Sequence, residues 1–531
     1  MAVSKLLLVF LAGCLATEIL AAPSAEQKVR RNMIRGRPRG GMKKTPPMSA
    51  VSHMINHDNV VTSYFTQTLD HFDSSVGKTF QQQYFHNNQW YKDGGPAFLM
   101  LGGEGPESSF WVSYPGLEIT NMAQQQGAWI FDIEHRFYGK TRPTSDMSVQ
   151  NLKYLSSAQA IEDAATFIKA MIAQYPQLAN AKWVTFGGSY SGALAAWTRA
   201  KHPELVYAAV GSSGPVQAEV DFIELVYAAV GSSGPVQAEV DFIEYLEVVK
   251  NSITRNSTAC ADSVTAGFNL VAQLLGTAAG RKQLKSAFHL CTDIKLDDKS
   301  LKYFWETVYS PYMEIVQYSG DAAGSFANQL TISHAICRYH LNPTTTTIQK
   351  MKQVNDYFNL QNDYIGCNDI DYNGFISFMQ DTTFGDAQSD RAWVWQTCTE
   401  FGYYQSTASP TAGPWFGGVS NLPAQYYIDE CTAIYGAAYN TAEVQAAIAY
   451  TNQYYGGRDN LNTPRILLPN GDIDPWHALG KLNSNNTDIV PVVINGTAHC
   501  ADMYGASAGD SIYLTNARKK IAQVLSGWLS Q

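Results

Sequence analysis

A serine lies in the segment that most constrains how this chain can fold, Phe186-Gly187-Gly188-Ser189-Tyr190-Ser191-Gly192. An apolar stretch that reads as a strand precedes it at residues 183–186, and a helix-like stretch follows at residues 193–197. A serine between small residues at a strand-to-helix turn is typical of a nucleophile elbow, in which the hydroxyl projects from the end of a central strand. The segment therefore predicts an α/β architecture with Ser189 as a nucleophile.

Two other serines are alternatives to Ser189. Ser507 lies in Gly505-Ala506-Ser507-Ala508-Gly509, which matches the Gly-x-Ser-x-Gly pattern, whereas the Ser189 segment has Ser191 in the place of the last glycine. Ser507 follows no apolar strand and opens no apolar helix, so its context is that of a loop. Ser191 fits a small residue that lets a helix approach a strand. Context therefore favours Ser189.

A serine nucleophile needs a histidine base and a carboxylate, and α/β-hydrolases supply them in the order Ser, Asp, His. Asp474 lies in a turn after the apolar stretch 465–468, and His499 follows a second apolar stretch at 489–494. His477 is only three residues from Asp474, so we expect it to share the same loop. Asp472 remains the alternative acid, although it also fits a turn-capping aspartate. The order predicts the triad Ser189, Asp474 and His499.

Strand and helix patterns alternate along most of the chain, which favours a mainly parallel sheet. The expected core strands lie near residues 96–101, 128–133, 182–186, 207–211, 465–468 and 489–494. Helical spacing dominates from about residue 245 to 450, where most cysteines also lie. We therefore expect an α/β-hydrolase fold, with the core at residues 51–244 and 451–531 and a mostly helical cap inserted at 245–450.

The first fifty residues differ from the rest. In residues 1–22, Lys5 precedes an apolar run, and small residues that could form a cleavage site follow the run. This order predicts a signal peptide. Residues 23–50 are basic, and we expect a propeptide or solvated linker there, with binding to an anionic surface as the alternative. Residues 1–50 hold nine Lys or Arg against two Glu, so a chain of net charge −9 has −16 left for its remainder. That acidic body argues against nucleic acid as a partner, and no other apolar run is long enough to span a membrane.

A perfect repeat interrupts the pattern, because residues 205–224 and 225–244 are identical. Each copy carries the strand expected after the nucleophile helix, and a sheet has one place for that strand. Two copies are too few for a solenoid. The repeat therefore indicates a sequence-assembly artefact or a recent duplication with one copy extruded, and an extra apolar strand would endanger the register of the sheet.

Several motifs together resemble one family. They are Leu101-Gly102-Gly103-Glu104-Gly105, Glu134-His135-Arg136-Phe137-Tyr138-Gly139, Gly187-Gly188-Ser189-Tyr190, Cys398-Thr399-Glu400-Phe401-Gly402, Tyr454-Tyr455-Gly456-Gly457, Asn470-Gly471-Asp472-Ile473-Asp474-Pro475-Trp476 and His499-Cys500. In these motifs the chain resembles the lysosomal Pro-Xaa carboxypeptidase family of serine peptidases. The resemblance implies a helical cap and the same triad, with Ser189 as nucleophile, Asp474 as acid and His499 as base.

Further site residues follow from the fold and the resemblance. The backbone N–H groups of Tyr190 and of the Gly103-Glu104 turn are expected to form the oxyanion hole. The Glu104 side chain either holds a substrate amino terminus or is a plain turn residue. By resemblance, Trp476 forms an apolar wall for a proline ring, with a core tryptophan as the alternative.

Seven cysteines follow Cys14, without metal-ligand spacing, so we expect disulfides and no metal or other cofactor. The resemblance implies the pairs Cys260 with Cys337, Cys291 with Cys367, and Cys398 with Cys431, and leaves Cys500 unpaired. Three acceptor sequons for N-glycosylation, at Asn256, Asn485 and Asn495, fit a glycoprotein. Asn495 lies so close to His499 that we expect no glycan there.

Together these features predict a secreted or lysosomal serine exopeptidase that enters the secretory pathway and cleaves peptide substrates near proline at one end. The family includes carboxypeptidases and dipeptidyl peptidases, and no motif in the chain separates them. An esterase or lipase and a catalytically impaired binding protein are the alternatives. The sequence leaves a homodimer open.

Overall fold

Within its described residues, the chain is organised by an eight-stranded sheet. The computed structural model describes residues 33–38, 41, 59–218, 241–323, 330–364 and 366–531. The strands are β1 Val60–Thr68, β2 Thr79–Asn87, β3 Ala97–Leu101, β4 Trp129–Ile133, β5 Trp183–Gly188, β6 Val206–Ser212, β7 Ile466–Gly471 and β8 Ile489–Ile494.

The strand order is β1-β2-β4-β3-β5-β6-β7-β8. The strands β3 to β8 pair in parallel, whereas β1 and β2 pair antiparallel at one edge. Every residue of β3, β4, β5 and β7 is buried, as expected for parallel strands covered on both faces. The chain has the α/β-hydrolase fold, and the expected strands coincide with β3 to β8.

Helices cover both faces of this sheet. They are α1 Phe110–Ser113, α2 Glu118–Gln126, α3 Val149–Leu152, α4 Ser157–Gln174, α5 Tyr190–Lys201 and, at the C-terminus, α17 Ile512–Leu529, with short 3₁₀ turns at Ser74–Val76, Pro176–Leu178, Pro475–Leu479 and Ala501–Met503. Helix α5, which directly follows Ser189, is buried over most of its length. Its small residues permit that burial, because alanine and glycine let the helix lie close to β5 and β6.

A helical insertion lies between β6 and β7. Its helices are α6 Ile243–Asn256, α7 Thr258–Leu275, α8 Ala278–Ala287, α9 Asp298–Gln317, α10 Arg338–His340, α11 Thr347–Gln361, α12 Tyr372–Met379, α13 Gln388–Gln396, α14 Ala424–Tyr435, α15 Thr441–Tyr455 and α16 Gly457–Asn460, with π-helical turns at Ile332–Cys337 and Thr397–Phe401. All three disulfides join residues within the insertion, and they pair Cys260 with Cys337, Cys291 with Cys367, and Cys398 with Cys431. These are the pairs that the resemblance implied.

The two copies of the repeat contribute residues to different secondary-structure elements. The first copy supplies β6, which lies between β5 and β7. The end of the second copy supplies the first residues of α6, which begins at Ile243. Residues 219–240, which include the second copy of the strand sequence, lie outside the described residues. The sheet of the described structure therefore includes one copy of the strand.

The described residues 33–38 of the basic N-terminal stretch are buried, unlike the solvated linker that we expected. The signal-peptide region 1–22 lies outside the described residues, but Met33, Ile34, Arg35 and Arg37 are each at most 5% exposed. Two arginines can be buried because each meets a buried carboxylate: Arg35 pairs with Glu430, and Arg37 with Asp390. The compensation of charge was invisible in the sequence, since both carboxylates lie some 350 or more residues away.

Candidate active site

Ser189 occupies the turn between β5 and α5. Its backbone has φ 58° and ψ −132°, a conformation that costs free energy for a residue with a Cβ and is typical of strained functional turns. The turn needs glycine at position 187, because a Cβ there would lie 2.0 Å from the carbonyl oxygen of Ser191. The Ser189 N–H donates to the Ser212 carbonyl at 3.0 Å. The elbow is thereby fixed to β6 at the carboxyl edge of the sheet.

The hydroxyl of Ser191 is engaged within the elbow. It donates to the Gly188 carbonyl at 2.8 Å and accepts from the Gly188 N–H at 3.0 Å, and the residue is 4% exposed. Ser507 lies in a turn before α17, where its N–H donates to Asp510. Neither position resembles that of Ser189, which follows the central strand directly.

Asp474 and His499 form a buried pair. His499 Nδ1 lies 2.8 Å from Asp474 Oδ2, and the two residues are 1% and 0% exposed. The second carboxylate oxygen of Asp474 accepts from the N–H of Trp476. Asp472 faces elsewhere, accepting from the Gly496 N–H and pairing with the half-exposed Arg255. The geometry thus brings His499 to Asp474 and away from Asp472.

The loop of His499 packs against the elbow. A Cβ on Gly188 would lie 3.1 Å from the sulfur of Cys500, so the residue before Ser189 meets the residue after His499. The Cys500 N–H also donates to the Ser213 hydroxyl at 3.0 Å. Nε2 of His499 is buried without a hydrogen-bond partner among the described residues.

Two opposing effects set the pKa of His499. Burial is the largest single effect and disfavours the imidazolium, but the Asp474 carboxylate and the Cys500 thiol together outweigh it, so the pKa of His499 lies well above its ordinary value. His477 lies in the same loop, where its backbone N–H donates to the backbone carbonyl of Asp474 at 3.0 Å and its Nδ1 lies 2.6 Å from that carbonyl oxygen. Of these two histidines, only His499 reaches the carboxylate.

The expected oxyanion turn lies beside the elbow. A Cβ on Gly103 would lie 3.4 Å from the Cβ of Ser191, which brings the turn after β3 next to the first turn of α5, where Tyr190 begins the helix. Glu104 is buried, and this burial raises the pKa of its carboxyl group while the nearby Arg37 opposes the shift. The backbone carbonyl of Glu104 accepts from Arg37 Nε at 2.8 Å.

The Glu134–Gly139 motif, to which sequence reasoning gave no role, contacts the residue that follows Ser189. His135 Nε2 lies 3.0 Å from the hydroxyl of Tyr190, which also accepts from Gln396 Nε2 at 2.9 Å. Burial lowers the pKa of His135 to about 4, so this histidine is neutral. Because Gln396 belongs to the insertion, the contact also joins the cap to helix α5.

A second tie between cap and core involves Glu400. Its carboxylate accepts from the N–H and the hydroxyl of Ser157, at 2.8 and 2.6 Å, at the start of α4. Burial raises the pKa of Glu400 to about 7. The Cys398–Gly402 motif therefore has a structural reason, since it combines this contact with a disulfide to Cys431.

Trp476 is 3% exposed and lies in an aromatic cluster. Its ring packs against those of Phe242, Tyr245 and Tyr403, at centroid distances of 5.1 to 5.9 Å, and lies 6.5 Å from that of His499. The indole thus has core contacts on one side and the candidate site on another. Sequence reasoning missed Gln317, whose carbonyl accepts from the His499 N–H; a glutamine at the end of α9 gave no signal.

The remaining expectations concern the surface and ligands. Asn256, Asn485 and Asn495 are all exposed, and the side-chain oxygen of Asn495 accepts from Arg255. In the described part of the chain, no cluster of three or more His, Cys, Asp or Glu is arranged to hold a metal. The same residues include no helix with the length and apolar character of a membrane span.

The sheet, the strained elbow and the inserted cap define a hydrolase of the α/β-hydrolase class. A family model described as serine carboxypeptidase S28 matches residues 67–226 and 223–521, and its two segments meet inside the repeat. The chain belongs to the S28 family of serine peptidases, which confirms the family that the motifs indicated.

Individual relatives cover almost the whole chain. A Caenorhabditis elegans protein named as a putative serine protease is 81% identical over 524 residues, 99% of each chain. Thymus-specific serine protease of Mus musculus is 30% identical over 485 residues, 88% of this chain and 87% of that protein. Lysosomal Pro-X carboxypeptidase of Homo sapiens is 25% identical over 481 residues, 89% and 88% of the two chains.

Proposed function

We propose that the protein is a secreted or lysosomal serine exopeptidase that cleaves near proline at one end of a peptide, with Ser189, His499 and Asp474 as its catalytic triad. The observation that carries this proposal is the buried Asp474–His499 pair, which lies on a loop packed against the strained Ser189 elbow. The disulfides and the lysosomal relative favour passage through the secretory pathway.

In the proposed reaction, Ser189 attacks the peptide carbonyl while His499 Nε2 takes the hydroxyl proton. Asp474 holds Nδ1 and stabilises the imidazolium, which then protonates the leaving amine. The N–H groups of Tyr190 and the Gly103-Glu104 turn would stabilise the oxyanion, and losing one such donor typically costs on the order of 100-fold in rate. Water then releases the acyl group by the reverse sequence.

The cap supports a preference for peptide ends. It joins the core through Gln396, which contacts Tyr190 next to Ser189, and through Glu400, which contacts Ser157, and a cap in this position would limit how much peptide can enter. The indole of Trp476, which faces His499, offers an apolar surface that suits a proline ring. The resemblance to Pro-X carboxypeptidase supports the same substrate class.

Fluorophosphonate labelling with mass spectrometry tests the chemistry. We expect an adduct on Ser189 that disappears in His499→Ala and persists in His477→Ala, a matched histidine in the same region. An amino-terminal Xaa-Pro reporter and a carboxyl-terminal Pro-Xaa peptide then decide which end is trimmed. Hydrolysis of acyl esters without cleavage of either peptide would show an esterase, and a folded protein without an adduct would contradict the proposal.

A further inference from the structure

A short stretch of the basic N-terminal segment lies inside the candidate site. Residues 34–37 form a tight turn in which the N–H groups of Ile34 and Arg37 each donate to the other's carbonyl, at 2.9 and 3.2 Å. Arg35 and Gly36 at its tip both have positive φ, 53° and 69°. We call residues Ile34–Arg37 the basic turn.

Two side chains of the cap hold the backbone of the basic turn. The indole N–H of Trp393 donates to the Ile34 carbonyl, and Gln317 Nε2 donates to the Gly36 carbonyl, both at 3.1 Å. Gly36 lies so close to Trp476 that a Cβ there would be 2.5 Å from the indole ring. The turn therefore covers the surface that we assign to a substrate's proline ring.

The guanidinium of Arg35 fills the first of two acidic pockets, within the cap. Nη2 donates to the Tyr427 carbonyl at 2.8 Å and pairs with Glu430 at 3.3 Å. The group lies 4.9 Å from the ring centroid of Tyr404, and Nη1 hydrogen-bonds the Thr397 hydroxyl. Arg35 is 1% exposed, so the pocket encloses the whole side chain, and it supplies acceptors to both terminal guanidinium nitrogens.

Arg37 fills the second pocket, at the boundary with the core. Its Nη1 donates to Asp390 at 2.7 Å, and its Nε donates to the Glu104 carbonyl at 2.8 Å. Glu104 belongs to the turn that we propose as an oxyanion donor. Two arginines separated by one residue thus hold the basic turn on both sides of the candidate site, one in the cap and one on the oxyanion turn.

We propose that the basic turn is an internal inhibitor, and that the cleft binds basic peptides of the form Arg-x-Arg through the Glu430 and Asp390 pockets. The turn blocks the site without serving as a substrate, because its peptide groups are closed on each other by hydrogen bonds and not extended along the cleft. The inhibition rests on the proposed function, whereas the binding of the turn does not. Removal of the N-terminal segment would open the cleft.

The first test compares labelling rates in the full chain. Arg35→Gln/Arg37→Gln should accelerate fluorophosphonate labelling of Ser189 at least about tenfold over wild type, because the observed rate scales with the fraction of molecules whose cleft is open. Lys43→Gln/Lys44→Gln removes two positive charges from the same segment and should leave the rate unchanged. Equal rates in wild type and the arginine variant would overturn the inhibition.

A second variant guards against misfolding, since removing both arginines leaves Glu430 and Asp390 without these partners. Gly36→Val keeps both charges but places a side chain against the Trp476 ring, and it should accelerate labelling in the same way. Circular dichroism and thermal unfolding show whether each variant is folded. A folded Gly36→Val protein that labels at the wild-type rate would contradict the proposal.

Binding in trans separates this inference from the catalytic one. A fluorescent peptide with the sequence of Met33–Pro38 should bind the arginine variant saturably, as measured by anisotropy, and should suppress labelling. The same peptide with glutamine for both arginines should do neither. If neither wild type nor any variant is labelled at Ser189 but the peptide still binds, the peptidase proposal is wrong and the two-pocket binding site is supported. If the peptide does not bind, the two-pocket site is refuted.

Discussion

Ser189 and Ser191 offer a sharp test of the elbow, because we expect alanine at Ser189 to remove activity and alanine at Ser191 to lower stability. Ser189→Ala removes the proposed nucleophile, yet the hydroxyl makes no hydrogen bond with any described residue. Ser191→Ala removes both hydrogen bonds that join Ser191 to the backbone of Gly188. We expect Ser189→Ala to abolish activity at little cost in stability, and Ser191→Ala to cost stability while labelling persists.

The magnitude follows from the two contacts. Each hydrogen bond contributes about 1 kcal/mol net, and a buried backbone group left unpaired costs on the order of 1–3 kcal/mol. Ser191→Ala should therefore lower the free energy of unfolding by roughly 2 kcal/mol. With an unfolding entropy of about 2 cal/mol/K per residue over some 500 residues, Tm should fall by roughly 2 °C.

The assay combines thermal unfolding with fluorophosphonate labelling on the same preparations. Ser189→Ala should stay within about 0.5 kcal/mol of wild type, as surface-like substitutions do, and should carry no adduct. An adduct on Ser191 in the Ser189→Ala variant, or loss of labelling in a folded Ser191→Ala variant, would refute the assignment. Ser191→Gly, which restores the glycine of the elbow pattern, should behave like Ser191→Ala in stability.

Three further outcomes are expected. Asp474→Asn should lower kcat by about 10⁴-fold, because the wrong imidazole tautomer of His499 is then favoured. Asp472 pairs with the half-exposed Arg255, and such exposed ion pairs contribute about 1 kcal/mol or less. Asp472→Asn should therefore change kcat/KM less than tenfold in steady-state assays. Because Asp474 raises the pKa of His499, activity should be lost as pH falls through a value above the ordinary histidine pKa, and pH profiles of any residual activity in Asp474→Asn should show this limb moved to lower pH. Burial raises the pKa of Glu400 from 4.5 to about 7, so between these pH values the folded state binds a proton that the unfolded state releases, and the free energy of unfolding should fall by about 3 kcal/mol as pH rises. Urea unfolding at the two pH values should show this fall in wild type and not in Glu400→Gln. The same change in the free energy of unfolding with pH in both proteins would contradict the prediction.

Apolar runs made the parallel part of the sheet predictable. The strands β3 to β8 are short apolar runs between turn residues, which is the signal of strands buried on both faces. The edge strands β1 and β2 gave no such signal, because polar residues fill them. Buried glutamines join these strands, with Gln67 Nε2 donating to Gln82 Oε1 at 3.0 Å, and a satisfied buried amide has no signature in the sequence.

The candidate site likewise has a part that the sequence predicted and a part that it did not. The order of Ser189, Asp474 and His499 could be read from motifs, since each follows an apolar strand whose end lies at the same edge of the sheet. The basic turn could not be anticipated, because eight positive charges in a Gly/Pro-containing stretch resemble a solvated tail. Only the fold shows that Glu430 and Asp390, in two helices of the cap, converge where Arg35 and Arg37 lie.

The position of the repeat has an evolutionary consequence. Thirty residues separate the end of β6 from the start of α6, and ten would remain if one copy were deleted. Treated as a simple loop, a threefold change in length alters the closure free energy by only about 1 kcal/mol. The first copy alone supplies β6, so the described sheet and cap keep the same elements while the junction between them differs in length. This junction is therefore a place where a gain or loss of twenty residues changes the stability of the fold little.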